Sequence, residues 1–431
     1  MSVINLITKD FEKFLSKVDA RSAESFSKKN VEIVQKIINT VKKDGDKALK
    51  SFTKKFDKVD LIDLAVDPID LKIAHEQCDE KTLKALRKAI ANITEYALTQ
   101  VPRSRTYKRK NGATLGVRFT PIKRVGVYVP SGRAVYPSSV LMSVVFAKVA
   151  GVEQIVVVSP PDQSGSVHPL ILAACYEVGV REIYAVGGAQ AIAALAYGTE
   201  TIRPVNKIVG PGNTFVTVAK KEVYGQVGID KLAGPSESLI IADAKQDASY
   251  LAHDLLIQAE HDPEASSIII TNSLSLAKKV KTLAEKLVSK SPRKEILQKS
   301  LSRYGGVIVV PEMHYAAAIS NMIAPEHLQL MVDKPYEFLN LLSHVGAVFI
   351  GPYTPETVGD YTAGPSHVLP TNGTAKFSSP ISVIDFLTST SLVEYSQKAL
   401  KEEAADLIQL SAVEKLPAHG EAIKARLKKK S

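Results

Sequence analysis

The sequence predicts an α/β protein with two cores and helical segments at both ends. Three observations lead there. At 431 residues the chain is two to three times a typical single domain. Short β-branched runs alternate with Ala-rich helical stretches through its middle. Roughly the first hundred residues and the final stretch 392–430 carry amphipathic helical patterning instead. With 45% hydrophobic and 23% charged residues, the chain can bury sizeable cores and is not disordered overall.

In the N-terminal part, Val31, Val34, Ile38 and Val41 keep helical spacing, and Gly45 is expected to stop the run. Leu83, Leu86, Ile90, Ile93 and Ala97 repeat the pattern after a cap at Asp79. Asn111-Gly112 is a hairpin signal and marks the change from helix to strand. From residue 124 onward, strand-like runs at 125–129, 154–159, 182–186 and 207–209 alternate with helical stretches such as 170–178 and 189–197. That alternation predicts a βαβ domain around a buried parallel sheet. Further strands at 239–242, 267–271, 307–310 and 347–350, separated by helices, predict a second α/β core. The segment 392–430 reads as a helical C-terminal extension, and no repeat array is indicated.

Composition excludes several function classes. No uncharged apolar run approaches the roughly 18 residues that a membrane span needs. Lys9 and Asp10 interrupt the N-terminus before a signal-type core forms, so a cytoplasmic protein is expected. Cys78 and Cys175 lie far apart without a C-x-x-C, which suggests neither a disulfide framework nor a thiolate metal site. The net charge of +10 invites a nucleic-acid reading, but the lysines are spread over helix faces (Lys42, Lys43, Lys47, Lys50, Lys54, Lys55) and the tail Lys428 to Lys430. No nucleic-acid partner and no membrane partner are expected.

The candidates for chemistry are individually weak. Gly187-Gly188-Ala189-Gln190 and Gly210-Pro211-Gly212-Asn213 each follow a strand and fit either tight turns or ligand loops, and neither is G-x-G-x-x-G. Tyr128-Val129-Pro130-Ser131-Gly132 ends another strand in the same way. Seven of the nine histidines follow residue 250. Gln258 and His261 share a helix face, with Asp254 one turn before; they can present oxygen and nitrogen to a divalent metal, or His261 can be a capped, hydrogen-bonded residue before Pro263. Glu326-His327, between Pro325 and Leu328, fits a pair of general bases or an exposed dipeptide. Asp360 and His367 fall in turn-rich sequence, and His419, near Glu414, would ordinarily face solvent.

Taken together these segments resemble the histidinol dehydrogenase family, from about residue 120 to the C-terminus and more loosely before it. The resemblance is carried by GVYVPSGRAVYPSSVLM, VGGAQAIAALAYGTE, IVGPGNTFVTVAK, LAGPSESLIIAD, LLIQAEHDPEA, APEHLQL, GDYTAGPSHVLPT and EKLPAHGEA, eight blocks in one order.

The resemblance implies two incomplete Rossmann-like α/β domains with helical N-terminal and C-terminal extensions. The expected division is an N-terminal tail at 1–25, a discontinuous catalytic domain of 26–123 and 237–378, a βαβ nucleotide-side domain at 124–236, and a helical dimerisation segment at 379–431. It also implies one zinc per subunit on Gln258, His261, Asp360 and His419, without sulfur. The implied reaction is oxidation of L-histidinol to L-histidine through L-histidinal with two NAD⁺, the last step of histidine biosynthesis. His327 then resembles the base for the alcohol proton and Glu326 the base that activates water. Ser236, His367 and Glu414 match substrate contacts, as do His327 and the metal ligands, while Tyr128, Gln190 and Asn213 match NAD contacts. The family is homodimeric, which would carry Glu414 and His419 into the neighbouring subunit's site. Cys175 is expected to be a small buried residue. Ser131 and Arg133 stand where the family more often has paired glycines, and Gly420 where alanine is commoner, which bears on nucleotide contact and on the rigidity of the zinc-bearing helix. A binding protein without turnover is the rival reading, opposed by the intact Glu326-His327 pair.

Overall fold

The computed structural model describes residues 1–5, 9–132 and 134–428; Arg133, Lys429 and Lys430 lie outside the described residues. Its strands in chain order are β1 (Ser2–Asn5), β2 (Arg105–Lys108), β3 (Thr114–Pro121), β4 (Arg124–Tyr128), β5 (Gln154–Ser159), β6 (Glu182–Ala185) and β7 (Lys207–Val209). They continue as β8 (Gly228–Ile229), β9 (Glu237–Ala242), β10 (Ser266–Thr271), β11 (Gly306–Val309), β12 (His327–Met331), β13 (Ala347–Ile350) and β14 (Leu387–Glu394). The chain divides into two units. The first comprises 1–100 and 122–385, and the second 101–121 and 386–431.

The first unit holds two parallel sheets. The smaller has the order β6-β5-β4-β7-β8 and the larger β1-β11-β10-β9-β12-β13. Counted from its own first strand, the smaller sheet runs 3-2-1-4-5, and so does the larger from β9, with β1 added at its far edge. This is the doubly wound order without its sixth strand, which makes both sheets incomplete Rossmann-like.

Alternation on the strands assigns the faces of the larger sheet. Ile240, Ala242, Ile269, Val307 and Met331 pack with Leu251, Leu255, Val280 and Leu297 of the covering helices on one face. Leu239, Ile241, Ile268, Ile308, Leu328 and Leu330 pack with Phe11, Val18 and Ile319 on the other. His327 and Gln329 alternate with Leu328 and Leu330, so they point toward the face covered by the helix Ala248–Ala259.

Several details differ from the sequence reading. Residues 2–5, read as part of a tail, pair with β11 as an edge strand, because extending a parallel sheet satisfies their backbone groups. Gly45 does stop the first helical run, with a non-helical φ of +50° and ψ of −131°, but a second run continues beyond the kink to Phe56. The helices between residues 28 and 98, grouped in the sequence with 237–378, pack on helices flanking the smaller sheet. Residues 392–394 are strand, not helix, since β14 pairs antiparallel with β3 over its whole length. That pairing joins the 105–121 hairpin to the C-terminal segment as the second unit, whose helices are Gln397–Val413 and Pro417–Leu427. There Gly420 is buried, and a Cβ on it would sit 2.8 Å from Ser411 Oγ. The missing side chain lets the two helices meet, so glycine serves packing there rather than looseness.

Cys175 is fully buried, and burial pushes its thiol well above the ordinary range. No helix among the described residues is long and apolar enough to cross a membrane.

One buried ion pair shapes a loop of the smaller sheet. Lys220, 1% exposed, pairs with Asp230. Lys220 Nζ also donates to the Gly210 carbonyl at 3.0 Å, and Asp230 Oδ2 accepts from the Gly210 N–H at 2.8 Å. Gly210 has φ +108°, and a Cβ there would lie 2.2 Å from the Tyr128 carbonyl oxygen. Replacing Lys220 with Met removes the ammonium that contacts the buried Asp230 side chain and leaves it only its backbone donors and the neighbouring Lys231. We expect a loss of about 3–5 kcal/mol, read as a lowered urea midpoint; a midpoint within error of the parent would contradict this account.

Candidate active site

Within the first unit a cleft of about 1020 Å³ is lined by Tyr128, Gln190, Asn213, Ser236, Gln258, His261, Glu326, His327, Asp360 and His367. These are all of the sequence-predicted site residues except Glu414 and His419, which lie on the second unit and are exposed. The departure Ser131 also lines the cleft.

Two sheet edges supply these residues. The smaller sheet contributes the carboxyl ends of its strands: Tyr128 ends β4, Gly188 and Gln190 follow β6, and Asn213 follows β7. This is where such sheets bind ligands, beside the switch in strand order between β4 and β7. Tyr128 Oη accepts from the Gly188 N–H at 3.0 Å, and Asn213 Oδ1 caps the helix Thr214–Val223. Burial raises the Tyr128 phenol to about 12, so it stays neutral. The larger sheet contributes its amino ends, with Ser236 just before β9 and Glu326-His327 at the start of β12. The helix Ala248–Ala259 delivers Gln258 at its last turn and His261 just beyond. Asp360 comes from the short helix Glu356–Tyr361.

Around His327 the geometry is specific. The ring is 3% exposed, and its Nδ1 lies 3.0 Å from the Glu237 carbonyl oxygen and 3.5 Å from Glu326 Oε2. A proton on Nδ1 is donated to that carbonyl, which leaves Nε2 as the exchangeable position, 3.9 Å from Asp360 Oδ1. Glu326 Oε2 accepts from the Glu237 N–H at 2.8 Å. Burial alone would lower the imidazole, but Glu326, Glu356 and Asp360 together carry it up to about 10. His367 Nδ1 donates to the Asp360 carbonyl oxygen at 3.1 Å, and its Nε2 lies 3.3 Å from Ser139 Oγ. Burial lowers its pKa, so it is neutral and locates Asp360 through the main chain.

Three carboxylates around one imidazole leave the cleft floor negative even when His327 is protonated, an environment that a divalent cation neutralises. Gln258 is 1% exposed, and its carboxamide faces the buried Glu356. The nitrogen of such a carboxamide is a donor, and its oxygen is the atom that can bind a cation. Gln258, His261 and Asp360 therefore fit a cation by donor type. Among the described residues no cluster of three or more His, Cys, Asp and Glu alone is ready to hold a metal. Gln258 lies outside that set of residue types, and His419 lies on the other unit.

Sequence reasoning missed Glu356, Glu237 and Ser139. Glu356 is fully buried, accepts from Ser238 Oγ, and is raised by burial to about 7 against the opposing pull of His327. Its signal was present: it sits four residues before Asp360 on the same helix face. Glu237 acts at the site through its peptide group, which no side-chain motif reveals.

A sequence model described as histidinol dehydrogenase matches residues 20–427. The chain belongs to the histidinol dehydrogenase family. It is 47% identical over 406 residues to the histidinol dehydrogenase of Bacillus licheniformis, covering 94% of this chain and 95% of that protein. It is 46% identical over 422 residues to the histidinol dehydrogenase of Clostridium acetobutylicum, covering 97% of each. The crystal structure of histidinol dehydrogenase from Elizabethkingia anophelis superposes with a TM-score of 0.89 at 34% identity, covering 92% of each chain. As a member of the histidinol dehydrogenase family the chain is an oxidoreductase.

Proposed function

We propose that this chain is a zinc-dependent L-histidinol dehydrogenase that oxidises L-histidinol through L-histidinal to L-histidine, the last step of histidine biosynthesis, in the cytoplasm. The convergence of Glu326 and His327 with Gln258, His261 and Asp360 on one cleft supports this reading more than any other observation. Overall, alcohol to carboxylate consumes one water and two NAD⁺ and releases two NADH and three protons.

Gln258, His261 and Asp360 would hold one zinc per subunit, with His419 of a neighbouring copy as the fourth ligand. Tyr128, Gln190 and Asn213 would contact NAD. When bound, zinc would orient the imidazole and amine of histidinol while NAD⁺ takes up hydride. His327 receives the alcohol proton at Nε2, its Nδ1 fixed by the Glu237 carbonyl. Glu326 then removes a proton from the water that attacks the aldehyde, its Oε2 held by the Glu237 N–H. Because the two bases are adjacent, the aldehyde is hydrated where it forms. Ser236 and His367, which line the same cleft, would contact the substrate.

Glu414 and His419 would act across a homodimer interface. Their exposure supports this, as does that of Leu410, Val413 and Leu416 beside them.

The direct test is NADH formation from L-histidinol by the purified protein, before and after chelation. Activity should vanish with the metal and return with added zinc; an active metal-free enzyme would contradict the reading. His327→Asn should slow both oxidations, whereas Glu326→Gln should mainly slow turnover of supplied L-histidinal. Unimpaired turnover in both variants would refute the assignment of bases. Mixing His419→Ala chains with Glu326→Gln chains should recover part of the activity through hybrid dimers, and no recovery would count against a shared site.

A further inference from the structure

We infer that Arg21 is a positioning residue for both bases, acting through the peptide of Glu237. This rests on reading Glu326 and His327 as the bases.

Arg21 lies on the helix Lys9–Ser25 and is 4% exposed, and Glu237, its partner, is 5% exposed. The guanidinium pairs with Glu237 Oε1 through one terminal nitrogen, and the other donates to the Glu264 carbonyl at 3.0 Å. The Tyr304 ring lies 5.4 Å from the guanidinium carbon. The main chain of Glu237 serves the catalytic side of the same residue. Its N–H reaches Glu326 Oε2 and its carbonyl meets His327 Nδ1. One residue therefore orients both bases, and its side chain is anchored to a helix more than two hundred residues away in sequence.

Position explains why an anchor is needed. Glu237 is the first residue of β9, and its ladder partner is Ser266, the first residue of β10. A strand terminus frays more easily than its centre, and a shift of about 1 Å at the bases is worth up to a hundredfold in rate. A buried ion pair is a poor source of net stability, because desolvation offsets most of the Coulombic gain. Its value here lies in geometry. Arg21 also fixes the carbonyl of Glu264, three residues past His261, so the same guanidinium ties down the loop that follows this proposed metal ligand.

The test compares Arg21→Met, Arg21→Lys and Glu237→Gln with the parent in steady-state histidinol oxidation, alongside zinc content and thermal unfolding. We expect kcat to fall about tenfold or more in Arg21→Met and Glu237→Gln, with KM for histidinol and NAD⁺ within twofold and zinc retained. Arg21→Lys, which keeps the charge, should recover part of the loss. The double variant Arg21→Met/Glu237→Gln should be no worse than the poorer single one, since one linkage is broken in both. Parent-like kcat in a folded Arg21→Met, additive losses in the double variant, or losses that only track the folded fraction would overturn the inference. Should Arg21→Met not fold, the isosteric Glu237→Gln decides by the same readings. Glu326→Gln and His327→Asn serve as controls: if they too are fully active, the reading of the bases has failed, whereas their impairment beside an active Arg21→Met condemns the positioning role alone.

Discussion

The constraint on which the site depends is the burial of acid. Glu326, Glu356 and Asp360 all act on one buried imidazole, and Glu237, itself raised by burial, lies next to Glu326. Such a cluster is unfavourable unless each charge is met. Part of the compensation is internal: Arg21 faces Glu237, Ser238 donates to Glu356, and the Glu237 N–H donates to Glu326. What remains is excess negative charge beside Gln258, His261 and Asp360. The chain therefore folds around an electrostatic deficit at the point where it offers oxygen and nitrogen donors. A cation there would also reduce the pull of the carboxylates on His327 and so lower its affinity for the proton, which a base at neutral pH requires.

The two sheets share one strand order yet contribute opposite edges. The smaller presents carboxyl ends and helix amino termini, the usual place for a ligand in an open α/β sheet. The larger presents amino ends, and this has a local cause. The helix Ala248–Ala259 follows β9 and crosses back to the amino edge before β10 begins, so its last turn carries Gln258 and His261 to the starts of β9 and β12. The polar positions Ser238, His327 and Gln329 sit on the face that this helix covers. Farther along the same strands Ile240, Ala242 and Met331 take over, and the face becomes apolar core.

Much of this was legible in the sequence, because the signals were local. Runs of β-branched residues gave the interior strands, and the ordered blocks marked ten residues that line one cleft. What escaped was non-local. Ser2–Asn5 is only four residues long, and its strand is completed by pairing with β11 and by the packing of Val3 and Ile4 on the two faces of the sheet. The LTSTSLVE stretch looks like an entrance to the helix that follows, and only its pairing with β3 makes it a strand. Arg21 and Glu237 lie 216 positions apart, so no spacing rule connects them. Glu356 was the exception: its four-residue offset from Asp360 placed it on the site face of a helix, where an acid beside an expected ligand could have been read.

The second unit sets two exposed ionisable residues among exposed apolar ones. Glu414 closes the helix Gln397–Val413 and His419 lies in the next, and both are exposed. An exposed carboxylate or imidazole is ordinary, but here it stands among Leu410, Val413 and Leu416, which are exposed as well. A soluble chain seldom leaves such an apolar cluster bare unless another surface covers it. The buried Gly420 adds to this. By admitting Ser411 Oγ it sets the spacing of the two helices, so a wider residue would part them and alter the offset of His419 from Glu414. Close packing between these helices thus fixes how the two residues are presented at the surface.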